Sequence, residues 1–384
     1  MRFFIFFFTL LVATSALAAK NIILFIGDGL GTTTITATRV YFRSARGNLA
    51  IDRLPYTAML KTYASDKVVT DSAAAATALA SGVKTKNDVL GEDESAVPGT
   101  KDGKSTITVA ELAKKAGKAV GLVTTTRITH ATPAAFYAHI HHRDLEKQIA
   151  EELLHSSFDL FLGGGRKYFD VGRLRKEGEI EVISTAEELA TVGKKYGNLP
   201  PPHPILGLFH EDHMSYESDR KAKGVTEPSL PEMTEAAIAI LSRNPRGFFL
   251  MVEGGRIDHA AHTNRIQDLL METFIFDRAI EQALALTSTK DTLVLVTADH
   301  ETAGVSLNGY PDHGQDISAY PFLTFVSRPG QKANPTLALP YGEDALHTGT
   351  DVPLYASGPG AREVHGTLDN TDLFPIMKKA LNFR

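Results

Sequence analysis

Three stretches of the chain place carboxylates directly after apolar runs. Asp28 in Gly27-Asp28-Gly29 follows residues 21–26, Glu253 in Glu253-Gly254-Gly255 follows 248–252, and Asp299-His300 follows 292–297. If those runs are strands of one parallel sheet, their carboxyl ends bring the acids to a single edge, where open α/β sheets bind ligands. Carboxylates gathered there repel one another unless a cation lies between them, so these residues point to metal binding. Asp258 and His262 stand four apart in VEGGRIDHAAH, so on a helix they share a face and can grip one ion. Such a pair alone describes a helix cap beside a surface histidine equally well. It gains weight from Asp299, His300 and His347, which offer further ligands. With no cysteine in the chain, any metal must be held by imidazole, carboxylate or hydroxyl groups. Zinc takes three or four N/O ligands and magnesium prefers carboxylate, hydroxyl and retained water, so this pool suits either ion. Adjacent residues of a regular strand face opposite ways, so Asp299 and His300 can share an ion only where the chain leaves the pleat.

The candidate nucleophile lies in Val69-Thr70-Asp71-Ser72-Ala73-Ala74-Ala75-Ala76-Thr77. Ser72 would open an alanine-rich helix whose unpaired N–H groups and dipole favour anions. The competing reading makes Asp71 or Ser72 simply the cap of that helix. No Gly-x-Ser-x-Gly elbow with a downstream triad is present, so activation of the hydroxyl falls to a metal. Arg143 is the candidate anion clamp, since its guanidinium can fork onto two phosphate oxygens; alone, it reads as a surface salt-bridge partner. The neighbouring His139, His141 and His142 are read as a solvated turn rather than a metal tract. Gly27-Asp28-Gly29-Leu30-Gly31 has its third glycine misplaced for a dinucleotide fingerprint, and an acid stands where pyrophosphate would lie.

The elements that must position these residues alternate in type. Apolar runs at 21–26, 119–125, 158–162, 248–252, 292–297 and 321–326 read as strands buried on both faces, and residues 72–80 and 263–286 read as helices. Such alternation predicts an α/β, doubly wound fold in one large domain. The 384 residues carry 45 acidic and 40 basic side chains, and the net charge of −5 offers no footprint for nucleic acid. At the N-terminus, Arg2 precedes an apolar run that ends in Ala16-Leu17-Ala18. This run is too short to span a bilayer, so residues 1–19 are expected to be a cleaved export signal and residues 20–384 a single catalytic domain. The product is then periplasmic or secreted, with no membrane span.

Taken together, the ordered segments NIILFIGDGLG, VTDSAAAATALASGVKT, ITHATPAAFYAH, FLGGGRKYF, RNPRGFFLMVEGGRIDHAAH, LVTADHET and HTGTDVPLYASGPG resemble the alkaline phosphatases. The resemblance covers nearly the whole mature chain. It implies a three-layer α/β/α sandwich with a large, mostly parallel central sheet, two zinc ions, one magnesium, and hydrolysis of phosphate monoesters with broad specificity through a phosphoserine. Phosphate monoesters and inorganic phosphate are the implied ligands. Carried over by position, Ser72 resembles the nucleophile, Arg143 the clamp and Asp71 the residue that orients it. Asp258, His262 and His347 resemble the ligands of one zinc, and Asp299 and His300 those of the other. Asp28 is implied to be shared between the second zinc and magnesium, with Glu253 and Thr132 completing the magnesium set. His130 and His259 stand where some bacterial members carry Asp and Lys, as in animal members; His130 would tune magnesium from outside its ligands or bind a third zinc. Animal members hold a structural metal through a glutamate where this chain has His210, so no calcium is expected there. The short interval from His300 to His347 argues against a large insertion embracing a partner, although the resemblance implies a homodimer. Two rival readings stand beside this one: a phosphodiesterase of the same superfamily, separable by rates on mono- and diesters, and a non-catalytic envelope protein that binds phosphate or zinc.

Overall fold

The computed structural model describes residues 18–196, 198–309, 322–325 and 345–383. Among them the strands are, in chain order, β1 (Asn21–Ile26), β2 (Tyr56–Lys61), β3 (Ala119–Arg127), β4 (Leu160–Gly164), β5 (Glu181–Ile183), β6 (Ile205–Leu208), β7 (Phe248–Glu253), β8 (Thr292–Thr297), β9 (Glu301–Thr302), β10 (Ser306–Asn308), β11 (Phe322–Thr324), β12 (His347–Thr348), β13 (Val352–Ser357) and β14 (Thr367–Asp369). Ten of these form one sheet in the order β14-β2-β13-β8-β1-β7-β3-β4-β6-β5. Only β13 runs against the others, pairing antiparallel with both β2 and β8.

Every residue of β1, β7 and β8 is buried, as continuous apolar strands require when both sheet faces are covered. On one face Phe25 packs edge-on against Phe276 of the helix Ile266–Leu286, and on the other Phe249 lies 6.0 Å from Phe136. Each side chain of that size contributes about 1.5–3 kcal/mol on burial, so the centre of the sheet is held rigidly. The architecture is the three-layer α/β/α sandwich that the sequence motifs imply.

One expectation needs correction. Residues 321–326 do not form a buried strand of the main sheet. β11 instead pairs antiparallel with β10 in a separate two-stranded sheet, with Leu323 and Phe325 only half-buried, while positions 321 and 326 lie outside the described residues. The run is apolar in composition, but the sheet position beside β8 belongs to β13. The helix expected over 263–286 is present as Ile266–Leu286, and a separate short helix, Arg256–His262, precedes it; the two are divided at Asn264, whose φ of 56° is left-handed. Asparagine tolerates that conformation, and the break lets the first helix turn its Asp258–His262 face to the sheet edge independently of the second.

The expected signal falls almost wholly outside the described residues. Ala19 already belongs to the fold: it is buried, and its N–H donates to the carbonyl of Ala380 at 2.7 Å. Among the described residues no helix is long and apolar enough to cross a membrane.

Candidate active site

Register brings the chemistry to one edge. Ile26 is level with Glu253 on one side and Thr297 on the other, and Thr124 of β3 is level with Glu253. Asp28 and Asp299 therefore both leave the sheet two residues past the same line. The pleat ends at Thr297, which is why Asp299 and His300 can face one pocket despite being adjacent. Gly29 makes the turn possible: its φ is +72°, and a Cβ there would lie 2.8 Å from Thr302 Oγ1 and 2.9 Å from Asp258 Oδ1. Beyond β8 the chain forms β9, whose Thr302 pairs with His347 of β12, bringing His347 back to the same edge.

Ser72 is the first residue of the helix Ser72–Ser81 and is buried. Asp71 is its cap, accepting from the Ala74 N–H at 3.0 Å, so Ser72 Oγ is left for other work. That oxygen lies 3.1 Å from His300 Nε2 and 3.5 Å from Asp28 Oδ1. The second oxygen of Asp71 accepts from Arg143 NH1 at 2.9 Å and from the Asp88 N–H at 3.1 Å, so the same side chain that caps the helix also aims the guanidinium. Arg143 NH2 donates to His130 Nε2 at 3.1 Å. Burial works against the charge of Arg143, but the facing Asp71 more than offsets it and raises its pKa.

Among the described residues, three donor groups each place their ligand atoms within 4.8 Å of one another: Asp258, His262 and His347; Asp28, Asp299 and His300; and Asp28, His130 and Glu253. Asp28 belongs to two of them. The first group shows most plainly what it is built for. His262 Nδ1 donates to the carbonyl of Ala345 at 2.5 Å and His347 Nδ1 to the carbonyl of Thr70 at 3.0 Å. A carbonyl can only accept, so in the neutral rings both protons sit on Nδ1 and both Nε2 atoms carry bare lone pairs. Those Nε2 atoms face each other at 3.0 Å, with Asp258 Oδ1 at 3.3 Å from one and 3.6 Å from the other. Three lone-pair donors converging on one point fit a cation, and imidazoles oriented through carbonyls are characteristic of zinc ligands.

The other two groups fit cations for a different reason. Asp28 Oδ2, Glu253 Oε1, Asp299 Oδ2, Thr132 Oγ1 and His130 Nδ1 are all buried without a hydrogen-bond partner, and the Thr132 hydroxyl faces Glu253 without closing a bond to it. Unpartnered buried carboxylate oxygens are costly unless a cation sits against them. In the metal-free chain the cost appears in the ionisation of these acids. Burial, then repulsion from Asp299, Asp258 and Glu253, pushes Asp28 well above the ordinary carboxyl range. Burial and Asp258 push Asp299 up to about 6, and burial, with Asp299 adding to it, pushes Glu253 up to about 7. For Asp258 burial also acts upward, but His347, His262 and His300 overcome it and hold the carboxyl at about 2.

Ser72, Asp71, Arg143 and the members of the three donor groups gather at this edge. His259 is in none of the three donor groups: its Nδ1 accepts from Arg256 NH1 at 2.8 Å. His130 both holds Arg143 and joins the Asp28–Glu253 group. His139, His141 and His142 are not a solvated turn; they are partly buried, and His139 spans the Gly91 carbonyl and Glu111. Sequence reasoning missed His213, whose ring stands 4.4 Å from that of His259 and beside Arg127. It also missed Thr124, which donates to Glu253, and Thr302, which donates to Asp258.

Comparison with known proteins agrees with this geometry. The family model described as alkaline phosphatase matches residues 19–344. An alkaline phosphatase of Gadus morhua is 37% identical over 92% of this chain and 80% of its own length. The solved alkaline phosphatase of the Antarctic bacterium TAB5 superposes with a TM-score of 0.79 at 30% identity, covering 96% of this chain and 99% of that one. A variant of the TAB5 enzyme, described with magnesium bound in its M3 site, superposes with a TM-score of 0.77 at 30% identity over 96% and 99% of the two chains.

Proposed function

The chain belongs to the alkaline phosphatase family and is a phosphomonoester hydrolase, and on that premise we propose that it passes the phosphoryl group first to Ser72 and then to water. In the first step Ser72 Oγ gives up its proton and bonds to phosphorus as the ester oxygen–phosphorus bond breaks, and the leaving alcohol takes up a proton, so that none is gained or lost. In the second a water oxygen displaces Ser72 and inorganic phosphate departs. Splitting one displacement into two lets the same in-line geometry serve both halves.

The cations assigned are zinc at Asp258, His262 and His347, zinc at Asp28, Asp299 and His300, and magnesium at Asp28, Glu253 and Thr132. When bound they supply the positive charge that acidifies a nearby hydroxyl and neutralises entering and leaving oxygens. That a protein of this fold takes up magnesium is shown by the TAB5 variant. The chain's own residues do the rest. Ser72 presents its oxygen from the start of a helix whose N–H groups favour an anion. Arg143 forks onto phosphate oxygens while Asp71 and His130 hold it from behind. Neutral His300 directs Nε2 at the Ser72 oxygen, and its burial, with His347 beside it, keeps it unprotonated.

The observation that carries this reading is the contact of Ser72 Oγ with His300 and Asp28, donors of one of the cation groups. The test is acid quenching of the enzyme during turnover of an aryl phosphate, followed by peptide mass spectrometry. Phosphate on Ser72 is expected, and Ser72→Ala should lose most turnover while still binding inorganic phosphate. Undiminished turnover by Ser72→Ala would remove it as the nucleophile.

A further inference from the structure

His262 and His347 are oriented by backbone carbonyls, which no side-chain replacement can remove. His300 is different. Its Nδ1 lies 3.3 Å from the hydroxyl of Thr302, and that hydroxyl lies 2.6 Å from Asp258 Oδ1. A hydroxyl has one proton, and an ionised carboxylate can only accept, so the Thr302 proton is committed to Asp258. The hydroxyl oxygen must then accept from His300 Nδ1–H. That fixes the tautomer of His300 and leaves Nε2 bare, facing Ser72 Oγ at 3.1 Å, Asp299 Oδ2 at 3.3 Å and Asp28 Oδ1 at 3.5 Å.

We infer that Thr302 is a positioning residue which joins the two zinc pockets through a one-way hydrogen-bond chain, His300 to Thr302 to Asp258, and so sets the metal affinity of both. The chain starts on a donor of one pocket and ends on a donor of the other. Thr302 is placed for this role from every side. It is fully buried, its N–H donates to the Gly29 carbonyl at 3.1 Å, and it pairs in register with His347. The missing side chain at Gly29 leaves room for its hydroxyl. Asp258 Oδ1 has two lone pairs, one for Thr302 and one for the point where His262 and His347 converge. Polarisation at either end of the chain is thereby felt at the other.

The inference rests on the two-zinc reading above. The test strips metal from the full chain and titrates it with zinc against a chromophoric chelator. Thr302→Val keeps the branched shape and removes the hydroxyl, and Thr302→Ser keeps the hydroxyl. Removing a group that orients a metal ligand typically costs 10–100-fold in affinity, so Thr302→Val should weaken both zinc sites by roughly that factor. Thr302→Ser should return both to the wild-type value. Wild-type affinity in Thr302→Val, or a Thr302→Ser as weak as Thr302→Val, would overturn the inference while leaving the two-zinc reading intact; a wild-type chain that takes up no zinc would overturn both. Nitrogen-15 shifts of His300 in the metal-free wild type give a second readout that does not depend on a variant folding. Protonation at Nδ1 is expected, and protonation at Nε2 would refute the chain.

Discussion

Replacing Arg143 tests how far the site depends on its fork. The guanidinium has five N–H donors, two on each terminal nitrogen. One on NH1 is held by Asp71 and one on NH2 by His130, which leaves one on each terminal nitrogen to face an anion side by side. Charge-assisted hydrogen bonds contribute about 1.5–3 kcal/mol each, so losing the pair in Arg143→Ala should cost about 3–6 kcal/mol of transition-state stabilisation. At about 1.4 kcal/mol per decade this is roughly a 10²–10⁴-fold fall in kcat/KM for an aryl phosphate. Arg143→Lys keeps the charge without the fork and should fall by roughly half as many decades. Asp71 still accepts from Ala74 and Asp88, so the helix cap survives and the melting temperature should move little. Zinc content should not change, because Arg143 belongs to none of the metal-ligand groups. Steady-state rates and competitive inhibition by inorganic phosphate measure both effects. An Arg143→Ala enzyme with unaltered kcat/KM and phosphate inhibition would refute the assignment of the clamp.

Other outcomes follow from the same residues. In the metal-free chain Asp299 at about 6 and Glu253 at about 7 lie above their ordinary values of 3.8 and 4.5, so their contribution to stability is present at low pH and lost as pH rises through about 4 to 7. Burial holds His130 and His300 below the ordinary histidine value, which acts in the opposite sense, so the expectation is for the difference: relative to the metal-loaded protein, the melting temperature of the metal-free protein should fall across that window. Burial also raises Glu272 to about 7, but it lies in none of the donor groups and titrates in both forms, so the difference between the two curves isolates the site. Equal curves would contradict the account of the buried acids. The buried Ala19, bonded to the end of the helix Leu373–Ala380, moves the expected export cleavage from after Ala19 to after Ala18, so that intact-mass analysis should find a chain starting at Ala19. A product starting at Lys20 would show that this contact is dispensable.

What could be read from the sequence was whatever sits at the end of a continuous apolar strand or at helical spacing. Asp28, Glu253 and Asp299 were visible because β1, β7 and β8 are buried on both faces, and Asp258 with His262 because four residues make one helical turn. Residue types and spacing alone could not show that His262 and His347, 85 positions apart, bring their Nε2 atoms together. That convergence depends on the two-residue pairing of β9 with β12, too short to leave a periodic pattern. β13 was hidden for a related reason: Pro353 interrupts its apolar run, and its antiparallel direction breaks the βαβ expectation. Thr302 and Thr124 were passed over because threonine in a strand is ordinary, and only the partners of their hydroxyls distinguish them. The resemblance of the ordered motifs supplied roles that spacing left open, notably those of Thr132 and Arg143.

The most direct measurement is anomalous diffraction at the zinc edge from crystals of the full chain grown with zinc and magnesium. Two strong peaks are expected, one at about 2.0–2.2 Å from Asp258, His262 and His347 and one at that distance from Asp28, Asp299 and His300, with Ser72 Oγ facing the second. A fully active enzyme whose crystals show no anomalous peak between these residues would contradict the central claim that converging lone pairs at this sheet edge exist to hold the cations of catalysis.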